Sequence, residues 1–61
     1  MPQEIYFEFT QIGNAIKVAA IDAKTGVEVS VMGSQAYDQA YLESLAMRKL
    51  QRRMAELQKG K

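Results

Sequence analysis

The sequence predicts an α+β fold: a three-stranded antiparallel meander followed by one long C-terminal helix packed on one sheet face, in the order β-β-β-α. Three observations carry this expectation. Apolar residues alternate with period two in three short stretches within residues 4–32, and a glycine-bearing turn separates each stretch from the next. Residues 35–59 then contain neither glycine nor proline, and their apolar side chains recur at helical spacing. At 61 residues, the chain fits one small domain spanning residues 1–61, in the size range where a single core is marginal.

The first strand is expected at about residues 4–10, EIYFEFT, where Ile5, Phe7 and Phe9 alternate with Glu4, Tyr6 and Glu8. The second, AIKVAAID at 15–22, places Ile16, Val18 and Ala20 on one face and Lys17, Ala19 and Ile21 on the other. The third, VEVSVM at 27–32, sets Val27, Val29 and Val31 against Glu28, Ser30 and Met32. The turns then select a register. A two-residue Gly13-Asn14 loop suits a type II′ turn with glycine first; it makes Ile12 oppose Ala15, and the pairs Phe9–Val18 and Phe7–Ala20 follow. A four-residue loop from Ala23 to Gly26, with Gly26 at positive φ, sets Asp22 opposite Val27, Ala20 opposite Val29 and Val18 opposite Val31. A three-residue loop would turn the valines to the other face. Asp22 is placed to fold its carboxylate over the amides of this loop.

The helix is expected at about residues 35–59, with Ser34 as N-cap and Gly60 just beyond the end, although no Glu or Gln follows Ser34 by three residues to close a capping box. At about 100° per residue, Ala36, Ala40, Met47, Leu50, Met54 and Leu57 share an arc, with Ala46 at its edge. That arc is expected to face the sheet, with small residues near the helix start allowing close approach. Glu43 falls near the arc's centre, where an unpartnered carboxylate would be costly. Either the helix is rotated so that Leu42, Ala46 and Leu50 lead and Glu43 emerges at the margin, or Glu43 is a buried acid with a role.

The chain has no cysteine and no histidine, which removes disulfides, thiolate metal ligands and the commonest general base. No glycine-rich phosphate loop, nucleophile elbow or catalytic triad is present. Asp22 with Thr25 belongs to a D-x-x-T-G stretch, which is first a hairpin-loop signature. A non-enzyme without metal or cofactor is therefore expected. The beginning of the sequence, MPQEIYFEF, lacks the basic-then-apolar pattern of a leader, and no apolar run approaches the roughly 20 residues that span a bilayer. The expected location is cytoplasmic.

The remaining functional signal lies on the surface. Tyr37, Tyr41 and Leu45 recur at i, i+4 and i+8, nearly opposite the expected inner arc, and that side continues through Arg48, Arg52 and Lys59, flanked by Lys49 and Arg53. The sheet face away from the helix offers Tyr6, Ile12, Ala15, Ala19, Ile21 and Met32, more apolar than solvent exposure requires. Strands one and three are both edges, and EIYFEF contains no lysine, with Pro2 just ahead of it. These features predict a small interaction module, a homodimer or the binder of a protein partner, with Tyr6, Ile21, Met32, Tyr37, Tyr41 and Leu45 as candidate interface residues.

The alternative is nucleic acid. Residues 1–33 carry net −2, with Lys17 and Lys24 against Glu4, Glu8, Asp22 and Glu28, and residues 34–61 carry +3. Arg48, Lys49, Arg52, Arg53 and Lys59 are the candidate polyanion contacts. The element order is similar to part of the double-stranded-RNA-binding fold, but the first helix of that fold is absent and the cations lie late in the helix. A net charge of +1 gives only weak nonspecific attraction.

FTQIGNAIKVAAIDAKTGVEVSVMG followed by LAMRKL resembles a small bacterial domain family of unknown function, with motifs of the form QIGN, KV-A-ID, TG-EV-V and a later RKL. The resemblance covers nearly the whole chain. It implies a compact protein without assigned activity and brings no catalytic or ligand residues.

Overall fold

Two glycines shape the meander. In the computed structural model, which describes residues 4–59, Gly13 and Gly26 have φ of 60° and 77°, a region where a β-carbon is sterically disfavoured. Asn14 keeps a negative φ, so the first loop has the φ pattern of a type II′ turn. It joins β1 (Ile5–Ile12) to β2 (Ala15–Asp22), and Ile12 faces Ala15, Phe9 faces Val18 and Phe7 faces Ala20. Beyond the second loop, β3 (Glu28–Ser34) sets Val31 opposite Val18 and Val29 opposite Ala20. The sheet is antiparallel in the order β1-β2-β3. Both registers are those expected from the turns.

Asp22 organises the second loop. Its Oδ2 accepts hydrogen bonds from the Thr25 amide at 2.9 Å and the Thr25 hydroxyl at 2.7 Å. Its backbone amide donates to the Val27 carbonyl, and its carbonyl accepts from the Gly26 amide. The Thr25 hydroxyl oxygen in turn accepts from the Val27 amide at 3.2 Å. Asp22 is buried, and these bonds explain how a carboxylate is tolerated there.

The helix α1 (Gln39–Lys59) starts four residues later than expected. Pairing with Ala15 carries β3 through Gly33 to Ser34, past the boundary suggested by its valines. Ser34 then ends the strand and opens a turn: its hydroxyl oxygen accepts from the Ala36 amide at 3.1 Å and its carbonyl from the Tyr37 amide at 3.0 Å. The N-cap is Asp38, whose Oδ1 accepts from the Ala40 amide at 3.2 Å and whose carbonyl accepts from the amides of Tyr41 and Leu42. An anionic cap also complements the positive end of the helix dipole. Pro2 and the expected terminator Gly60 lie outside the described residues.

The core joins Val18 and Ala20 of β2 to Leu42, Ala46 and Leu50 of α1. Ile5, Phe7, Ile16, Val27, Val29, Val31, Leu45 and Met54 pack around it, partly buried. The expected inner arc is thus corrected by a rotation about the helix axis. Ala36 and Ala40 are exposed, Leu57 is half-exposed, and Met47 and Met54 are half-buried. Leu42, Ala46 and Leu50 lead, and Glu43 sits half-buried at the margin. The close approach depends on Ala46 and on Gly33, over which the Leu42 side chain lies.

Candidate interaction surfaces

Strand alternation and helix rotation together decide which side chains meet. On the sheet face away from α1, cross-strand pairing brings Tyr6 beside Ile21, while Met32 lies beside Lys17, four residues earlier in β2. The three candidates on this face therefore divide between its two ends. Tyr6 and Met32 are 57 % and 58 % exposed, Ile21 is half-buried, and the small Ala19 between them is buried. Ile12 is exposed beyond the Met32 end, beside Ala15.

The expected Tyr37-Tyr41-Leu45 stripe is not a single surface. Tyr37 precedes the helix, and its ring meets that of Tyr41 edge to face, with centroids 5.8 Å apart and planes at 77°. Both rings are exposed. Leu45 turns inward and packs against the core, because the rotation that puts Leu42, Ala46 and Leu50 on the sheet carries Leu45 towards β3. Tyr37 and Tyr41 remain together; Leu45 leaves the exposed set.

The cations also divide. Arg48, Lys49 and Arg52 line a shallow groove of about 350 Å³ with Val31 and Leu45, between the helix and β3. Lys49 Nζ donates to the Ser30 carbonyl at 2.7 Å, crossing from the helix to the edge strand. Arg53 and Lys59 are exposed and do not line this groove. A positive rim over an apolar floor suits an anionic or amphipathic ligand.

One surface escaped the sequence reading. The helix lies over β2 and β3, so the helix-side face of β1 is incompletely roofed. Ile5 and Phe7 are half-buried there, and Phe9 is 41 % exposed. The signal was available in dimensions: a helix about 10 Å across is narrower than three strands at about 4.8 Å each, a sheet about 14 Å wide.

Among the described residues, no group of three or more acidic, histidine or cysteine side chains is placed to hold a metal ion. No described helix is long and apolar enough to cross a membrane. A family model described as a domain of unknown function (DUF6898) matches residues 2–57. No curated protein and no solved structure matches the chain.

Proposed function

Because the chain belongs to the DUF6898 family, a domain of unknown function that brings no activity with it, we propose from its surfaces that it is a cytoplasmic, non-catalytic interaction module that self-associates as a homodimer. The observation that supports this reading is the ratio of inside to outside. Among the described residues, six apolar ones are buried, whereas seven large ones, Tyr6, Phe9, Ile12, Met32, Tyr37, Tyr41 and Leu57, are exposed. A domain this small gains stability by covering such surface. Sedimentation velocity from low to high micromolar concentration tests it. A reversible shift to twice the monomer mass is expected, and a strictly monomeric chain would defeat it.

The second reading, a nucleic-acid accessory role, draws on the basic groove of Arg48, Lys49 and Arg52. If about three phosphates were engaged, affinity for labelled duplex RNA or DNA should fall roughly tenfold or more between low and moderate salt. Weak binding is expected at physiological salt, because the sheet half of the chain is net acidic. Submicromolar, salt-sensitive binding lost in Arg48→Glu with Arg52→Glu would make this the better reading.

A further inference from the structure

We infer that the free edge of β1 is the dimer contact: two copies pair their β1 strands antiparallel about a two-fold axis at Phe7, making one six-stranded sheet with both helices on the same face. This rests on the self-association reading and specifies its surface. The two sheet edges differ in protection. Lys49 occupies the outward carbonyl of Ser30 on β3, and Arg48 and Arg52 stand beside that edge, the kind of charge that discourages strand addition. On β1 no described segment pairs with the outer edge, and its residues from Ile5 to Ile12 include no cation.

Hydrogen-bond alternation shows which backbone groups are available. The Asp22 amide points at β3, since it donates to Val27. Alternation along an antiparallel strand then aims the N–H and C=O groups of Ala15, Lys17, Ala19 and Ile21 at β1. Their partners Tyr6, Glu8, Thr10 and Ile12 are thereby occupied, leaving those of Ile5, Phe7, Phe9 and Gln11 facing outward. These are the residues whose side chains lie on the incompletely roofed helix side. Pairing there satisfies the outward backbone groups of Ile5, Phe7 and Phe9 and places exposed Phe9 against another copy in one step.

Charge and side-chain matching select the alignment. Centred on Tyr6, the pairing would set Glu4 opposite Glu8 of the other copy; centred on Glu8, it would set Glu8 opposite its own mate. Both put like charges in direct cross-strand contact, which is destabilising. Centred on Phe9, it would place Phe7 against Gln11 and Ile5 against the Gly13 turn. Centred on Phe7, it matches Phe7 with Phe7 and Phe9 with Ile5 on the helix side, and Tyr6 with Glu8 on the other, with no glutamate facing another.

The natural absence of cysteine makes thiol crosslinking a clean test. Tyr6 and Glu8 are both exposed, so Tyr6→Cys and Glu8→Cys should fold. In the proposed alignment they form a non-hydrogen-bonded cross-strand pair with Cα atoms about 4.5 Å apart, within disulfide reach. An oxidised mixture of the two single variants should give the mixed disulfide as its main product. Predominant Tyr6→Cys or Glu8→Cys homodimers would overturn the alignment. In parallel, Phe9→Lys should weaken dimerisation at least about tenfold, because it puts a charge into the contact, while circular dichroism stays native. A wild-type dimer that persists in Phe9→Lys and yields no mixed disulfide would place the contact elsewhere and leave self-association standing. A monomeric wild-type chain would remove both. Should Phe9→Lys fail to fold, the disulfide pattern decides alone.

Discussion

Replacing Gly33 by alanine should destabilise the protein for a reason that can be reversed at a second site. A β-carbon built on Gly33 would lie 2.5 Å from Leu42 Cδ2 and 3.1 Å from Leu42 Cδ1, where carbon atoms normally sit about 3.5–4.0 Å apart. Leu42 is 1 % exposed, so it must yield by about 1 Å inside a packed site, and overpacking of this kind costs about 1–3 kcal/mol. The third near atom, Tyr37 Cδ2 at 3.1 Å, belongs to an exposed ring that can turn away. With a urea slope of about 1 kcal/mol/M for so small a domain, the midpoint should fall by about 1–3 M. Leu42→Ala alone should cost about 2–4 kcal/mol by leaving a cavity. In that background Gly33→Ala meets no obstacle, and the lost freedom of the unfolded chain should make it neutral or stabilising by up to about 1 kcal/mol. The test is a double-mutant cycle by urea denaturation at one fixed protein concentration, since association would otherwise shift the midpoints. Simple additivity of the two substitutions would refute the claim that Leu42 is what requires glycine at position 33.

Other substitutions follow from single contacts. Asp22→Ala removes the acceptor of both Thr25 hydrogen bonds and should cost about 2–4 kcal/mol; Thr25→Val should lose about 1 kcal/mol, and equal effects from the two in thermal melts would contradict the carboxylate's central place. Val18→Asp puts a charge at a fully buried position between Phe9 and Val31 and should abolish cooperative unfolding. Asp38→Ala should lower stability by about 0.5–2 kcal/mol as loss of an N-cap, whereas Ser34→Ala should have the smaller effect; the reverse order in denaturation would restore Ser34 as the cap.

The meander was legible in the sequence because its determinants are local. Alternation assigns each strand a face, Gly13 and Gly26 permit the two turns, and loop length fixes register to the residue, so Phe9, Val18 and Val31 align without reference to the helix. Asp22 over its loop is equally local, a side chain bonded three residues along. The family resemblance rested on these same stretches together with LAMRKL of the helix, and the family match covers both. The helix start was harder. Ser34 and Asp38 are both good caps, and what decided between them was the pairing of Ser34 with Ala15, nineteen positions earlier.

The rotation of α1 was decided by tertiary packing. Leu and Met residues occur around much of this helix, so periodicity admits more than one inner face. Gly33 supplies the place where Leu42 can descend onto the sheet, and that contact brings Ala46 and Leu50 inward, Leu45 towards β3 and Leu57 outward. The candidate surfaces inherit the result: two tyrosines rather than a three-residue stripe, a groove with three cations rather than five, and a β1 edge on which Phe9 stays half-open. Sequence alone specifies which residues alternate and where the chain turns, since those depend on neighbours. Which side chains remain for a partner depends on how one narrow helix settles over two of three strands, which only the folded structure decides.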